Sequence, residues 1–181
     1  MAAREPLQVW LDNVHVATLT TKGRPGQVTC RYTEHSLETW GLNTPIISCS
    51  LPTSARPLDG ARYFRGLLPE GEHLQALAGR ANVAAFDTFG LLTRYGRDVA
   101  GALVISPASV APRVGTAIRY TDADLDDEVA GLAENPLGQH DDSELSIAGV
   151  QNKLLLVALD DGAWARPANG MPSTHILKVE R

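Results

Sequence analysis

Leu145-Ser146-Ile147-Ala148-Gly149-Val150-Gln151-Asn152-Lys153, answered later by Thr174-His175-Ile176-Leu177-Lys178, is the stretch on which the reading of this chain turns. Behind Lys153 runs an apolar segment, Leu154 to Leu159. Asp160-Asp161-Gly162 then turns the chain back into Ala163 to Arg166, and Thr174 to Val179 makes a last strand. A loop that covers phosphates needs backbone N–H groups facing the anion and no Cβ where the chain comes closest. Ala148 to Lys153 supplies this: Gly149 frees the backbone, Gln151 and Asn152 brace it, and Lys153 brings charge. By residue type alone the signal is weak. The loop is neither GxGxxG nor a P-loop, a surface β-turn would serve as well, and a lysine on a terminal strand ordinarily faces water.

The cations add support. Of 16 basic residues only Lys22, Lys153 and Lys178 are lysines, and two of them fall in this loop-and-strand pair. Where arginine serves nearly every position, a lysine hints at a compact point charge in place of a planar fork. The formal charge of -5 argues against direct nucleic-acid binding. Carboxylates crowd between Thr121 and Glu144 with no Lys or Arg among them. A solvated helix and polar linker explain them, because DADLDDE lacks the glycine and terminal Glu of a calcium loop.

At 181 residues and 44% hydrophobic content the chain can bury a core as one domain or two small ones. No apolar run approaches the ~18 residues of a membrane span, and MAAREPLQVWLDN does not read as a signal peptide. Cys30 and Cys49 then read as reduced thiols, and the expected compartment is the cytoplasm.

The fold expected is α+β. Leu7 to Asp12 and Val14 to Thr20 form a hairpin about Asp12-Asn13, Val28 to Tyr32 adds a strand, and Ile46 to Ser50 another, closing a small antiparallel sheet. From Ala61 to Tyr95 apolar residues recur at helical spacing, through Phe64, Leu67 and Leu68, then Leu74 and Leu77, then Phe86, Phe89, Leu91 and Leu92. Pro69 and Gly71, then Gly79 and Asn82, divide this region into three helices, with Glu70 in a first turn. Ala102 to Ser106 is a short strand, and Thr121 or Asp122 caps a helix reaching about Ala133. The division expected is 1–110 as a first subdomain, 111–144 as an acidic helix and linker, and 145–181 as the start of a second unit. Ser143 to Asn152 is expected to be mobile without nucleotide.

Taken together, LSIAGVQNK and THILK resemble the HipA family of serine/threonine kinase toxins, whose pattern is Ser-x-Ala-Gly-x-Gln-x-Lys followed by Thr-His-x-x-Lys. Ser50-Leu51-Pro52, Phe64-Arg65-Gly66-Leu67-Leu68-Pro69-Glu70-Gly71 and Asp98-Val99-Ala100-Gly101-Ala102-Leu103 resemble its N-terminal subdomain, in the same order. The resemblance implies that Ser146 is the autophosphorylated serine, and that Ala148, Gly149, Val150, Gln151, Asn152 and Lys153 cover the nucleotide phosphates. Lys178 is then the strand lysine that pairs with them. Residues 145–181 would begin an incomplete kinase N-lobe sheet. ATP and magnesium are the cofactors implied for the complete enzyme, and tight binding by this chain alone is not expected.

The family's kinase core runs on past the point that Arg181 reaches, and its catalytic aspartates have no counterpart in these residues, so no catalytic residue is assigned. Implied partners are a helix-turn-helix antitoxin of the HipB kind, a C-terminal kinase lobe and a protein substrate of the tRNA synthetase type; no membrane contact is expected. The alternative is a stand-alone interaction module that binds and restrains a separate kinase. The histidines at 15, 35, 73, 140 and 175 lack metal spacing such as HExxH, His175 reads as structural or local to the nucleotide loop, and Trp10, Trp40 and Trp164 are too dispersed to stack bases.

Overall fold

Asp12 and Asn13 both adopt left-handed φ, 47° and 63°, the conformation that a two-residue hairpin turn requires and that Asp and Asn tolerate. They join β1 (Leu7–Leu11) to β2 (Val14–Thr20) with Leu7 opposite Leu19 and Val9 opposite Ala17. The register then shifts so that Trp10 faces His15, which leaves Val16 without a cross-strand partner. Its carbonyl instead accepts from the Thr33 N–H at 3.0 Å and the Ser36 hydroxyl at 2.9 Å. This bulge is where α1 (Glu34–Trp40) docks, capped by the Thr33 side chain. The computed structural model describes residues 4–24, 26–99, 103–110, 115–132, 153–168 and 171–178.

β3 (Thr29–Tyr32), β4 (Leu58–Asp59) and β5 (Leu103–Pro107) complete a five-stranded antiparallel sheet in the order β4-β3-β2-β1-β5. Against it pack α2 (Ala61–Gly66), α3 (Gly71–Ala81) and α4 (Thr88–Tyr95) through Phe64, Leu74, Leu77, Phe89 and Leu92. The α+β expectation and the helical run hold.

Several details differ from the sequence reading. Ile46 to Ser50 is not a strand: it makes only an isolated bridge, Ser48 to Leu51. Thr53 closes this loop instead, its N–H donating to the Thr44 carbonyl at 2.9 Å and its hydroxyl to the Gly41 carbonyl at 2.6 Å. Ile46 and Ile47 still pack on the core, so burial without a ladder accounts for their apolar character. Glu70 stands at the N-cap position of α3, just outside its first turn. Gly79 lies inside α3, and Asn82 at φ 52° stops that helix alone. Phe86 is 65% exposed because it precedes the cap of α4.

That cap is Asp87, whose Oδ1 accepts from the Gly90 N–H at 3.1 Å while Arg4 grips both its oxygens at 2.7 Å. Burial pushes the Asp87 carboxyl up, but the Arg4 and Gly90 bonds outweigh it and hold the group below its ordinary 3.8. A depressed carboxyl contributes stability above its unfolded pKa and loses it as pH falls through the folded one. Asp87→Ala is therefore expected to cost about 2 kcal/mol at neutral pH, from the lost cap and ion pair. In urea melts the gap to wild type should narrow below about pH 4; a gap that does not change with pH would refute the assignment.

A second core lies apart. β6 (Thr116–Arg119), β7 (Lys153–Ala158), β8 (Trp164–Ala168) and β9 (His175–Lys178) form an antiparallel sheet in the order β6-β8-β7-β9. The β7–β8 connection turns at Gly162, φ 83°, where the Leu159 N–H donates to the Ala163 carbonyl at 2.9 Å. Thr121 and Asp124 form a reciprocal capping box at the head of α5 (Asp122–Gly131). Leu125, Val129 and the following Leu132 seat this acidic helix on Leu154 and Leu156, leaving most of its carboxylates in water. Cys30 is buried, with its thiol pushed up to about 12 by burial, and Cys49 is exposed; both are free. Among the described residues no helix is long and apolar enough to cross a membrane.

Candidate functional site: a lysine pair on one sheet face

The register of β7 on β9 sets Lys153 directly opposite Lys178, Leu154 opposite Leu177, Leu155 opposite Ile176 and Leu156 opposite His175. Side chains alternate across a sheet, so Leu154, Leu156 and Leu177 share one face, and Lys153, Leu155, Ile176 and Lys178 share the other. The first face belongs to the α5 core. The second carries two cations side by side and an isoleucine that is 47% exposed.

Like charges at directly opposed positions repel. Lys153 is only 7% exposed, and burial first, then the charge of Lys178, lowers its pKa. A face with two cations attracts anions, and the exposed Ile176 adds an apolar surface beside them.

The lead-in to β9 is locked by side-chain bonds. The Thr174 N–H donates to the Leu156 carbonyl at 2.9 Å, and its hydroxyl accepts from the Ala158 N–H at 2.8 Å. His175 Nδ1 lies 2.8 Å from that hydroxyl, and its ring meets Trp164 edge-on at 5.0 Å between centroids. The Thr-His pair thus fixes register, in keeping with a structural role for His175. Ser146 and Ala148 to Asn152, together with the mobility expected of Ser143 to Asn152, lie outside the described residues. Of the site residues read from sequence, the structure brings together Lys153 and Lys178.

The sequence reading missed Asp98. Its carboxylate lies at the join between the two cores, and Oδ1 accepts from the Ser173 hydroxyl at 3.4 Å. Its signal was its place at the head of the Asp98 to Leu103 motif, to which the sequence attached no individual role. Burial pushes the Asp98 carboxyl up to about 6, the Ser173 bonds pulling the other way. With a raised folded pKa, the native state holds the extra proton between 3.8 and about 6, so this group's contribution falls as pH rises through that window. Asp98→Asn should lose this dependence, gaining on wild type by up to about 3 kcal/mol between pH 4 and 7.5 in denaturant titrations. A constant difference would contradict it.

Residues 7–106 match the HipA N-terminal domain. Over 95% of its length the chain is 36% identical to Y4mE of Sinorhizobium fredii, provisionally named a kinase, and spans 42% of that protein. It is 32% identical to the serine/threonine-protein kinase toxin HipA of Shewanella oneidensis over 69% of this chain and 30% of that one. The solved complex of Shewanella oneidensis HipA, HipB and operator DNA contains a similar fold, with TM-score 0.67 and 24% identity over 97% of this chain and 41% of that one. The chain spans about two fifths of Y4mE and of the solved HipA chain. By the family match over its first hundred residues, and by a fold that continues the likeness to β9, this chain belongs to the HipA family and carries its N-terminal domain.

Proposed function

We propose that this chain supplies the phosphate-gripping part of a HipA-type serine/threonine kinase of a toxin-antitoxin system, and that it does not transfer phosphate unaided. The observation that carries this reading is the pairing of Lys153 and Lys178 on one face, with Ile176 exposed beside them. In this reading Ala148 to Asn152 lie over the nucleotide phosphates, Lys153 and Lys178 hold their charge, and Ser146 is the site of autophosphorylation. ATP, when bound, supplies the phosphoryl group, and magnesium neutralises charge as it moves. Among the described residues no three carboxylate, histidine or cysteine side chains gather where they could hold a metal. In this reading the ligands for magnesium and the catalytic base belong to the family's kinase lobe.

The partner proposed is a helix-turn-helix antitoxin of the HipB kind; the similar solved HipA is itself in a complex with HipB and operator DNA.

The test is transfer of labelled phosphate from ATP with magnesium, on the purified chain and again with a separately produced C-terminal kinase lobe. The expected result is ATP binding no tighter than about millimolar and no label on Ser146 without the lobe, since each missing wall or ligand costs about tenfold per 1.4 kcal/mol. With the lobe, label should appear and should vanish in Lys178→Ala. Incorporation by the chain alone that depends on Lys178 would overturn the division of labour.

A further inference from the structure

We propose that Asp98 is a positioning residue: its carboxylate, at the seam between the two cores, anchors the segment 171–174 and thereby holds Lys178 in register with Lys153. Where this concerns phosphate binding it rests on the function proposed above; the anchoring itself does not.

The geometry runs in three steps. Asp98 is itself fixed, because the next residue, Val99, is buried in the first core. Oδ1 then accepts from the Ser173 hydroxyl at 3.4 Å, and the Ser173 N–H also donates to the carboxylate. From Ser173 the chain passes directly into Thr174, whose bonds to Leu156 and Ala158 set the register of β9.

The same segment is held from two further sides. The Met171 N–H donates to the Ala168 carbonyl at 3.2 Å, and the Met171 backbone lies so close to Gly115 that a Cβ there would overlap it. Those two contacts come from the second core's own strands and flanks. Asp98 adds a contact that comes from the first core.

Register matters here more than in most strands. Among the described residues β9 spans His175–Lys178 and has β7 as its one hydrogen-bonded neighbour, so the ladder described is short and one-sided. A slip of one residue exchanges the two faces. Lys178 would leave Lys153 and join the leucine face, and the paired cations would be lost. Asp98 acts on the lysine pair through Ser173 and Thr174.

The chain has three lysines, Lys22, Lys153 and Lys178, so lysine labelled with 13C at Cε gives few enough signals to follow each one. In the wild type Lys153 should titrate below the ordinary lysine value, as its burial beside Lys178 requires. Asp98→Ala and Ser173→Ala are expected to move that titration up toward the ordinary value. They should also speed amide exchange at Ile176 to Lys178 at least tenfold and weaken ATP binding by the complete kinase at least tenfold, with β1 and β2 exchanging at wild-type rates. Asp98→Asn, which keeps an acceptor for Ser173, should match wild type in the titration and in β9 exchange.

The proposal is overturned if Asp98→Ala leaves both the Lys153 titration and β9 exchange unchanged, or if β1 and β2 loosen as much as β9. It is also overturned if ATP affinity holds while β9 loosens. Should Asp98→Ala not fold, Ser173→Ala, which removes one hydroxyl from a partly exposed segment, decides by the same readouts. A wild-type kinase that binds no ATP, with the titration and exchange responding as expected, would leave the anchor standing and remove the phosphate reading.

Discussion

A methyl group added at Gly96 is expected to be the most damaging small change to the first core. Gly96 follows α4 at φ −77°, a conformation open to any residue, so backbone strain is not the issue. Space is. A Cβ there would stand 2.5 Å from the Leu92 carbonyl oxygen and 2.6 Å from that of Ile105, and both obstacles are backbone atoms that no side-chain rotation can move. The Gly96 carbonyl meanwhile accepts from the Ile105 N–H at 2.8 Å, stitching the end of α4 to β5. Making room means pulling β5 from α4 and breaking that bond. Overpacking of this kind costs about 3 kcal/mol, a large share of the roughly 5–15 kcal/mol that holds a domain folded. Denaturant titration of Gly96→Ala against Gly66→Ala should show it, because a Cβ at Gly66 meets nothing within 4 Å. Similar losses at the two sites would show that the close approach is not real.

The second large effect has opposite signs in two assays. Lys153→Met removes a cation whose charged form is disfavoured by burial and by Lys178, while leaving an unbranched apolar chain in the same space. Because the folded pKa of Lys153 is depressed, the wild type gains stability as pH rises from the folded value toward 10.5; below that window the charge is a burden. The variant is therefore expected to be at least as stable as wild type at pH 7, and to lack that alkaline rise. Nucleotide binding by the complete kinase should move the other way. A charge-assisted bond to phosphate is worth roughly 1.5–3 kcal/mol, so affinity should fall about 10- to 100-fold. Lys178→Met should lose similar affinity and shift the Lys153 titration upward. A Lys153→Met protein that binds ATP as tightly as wild type would remove the lysine pair from the site.

The elements differ in how far local chemistry announces them. The β1–β2 hairpin is legible because Asp12-Asn13 can take positive φ and the flanking apolar residues alternate. The cap of α5 is legible because Thr121 bonds its own helix within three residues. α1 escaped notice: only Leu37 and Trp40 of its seven residues pack on the core, and it is held by the Val16 carbonyl across a bulge. Ile46 to Ser50 misled for the converse reason. Ile46 and Ile47 pack half-buried on the core without joining a ladder, and periodicity alone cannot distinguish the two cases.

The sequence by itself determined the family, the α+β class and the two lysines, because motif order, helical spacing and residue type are properties read along the chain. Tertiary structure alone decided that Lys153 faces Lys178 across a two-strand register, that Ile176 lies exposed beside them, and that Asp98 grips Ser173 from 75 positions away. Those are matters of register and burial. Both are set by which distant segments exclude water together, and by alternation that a one-residue slip would reverse.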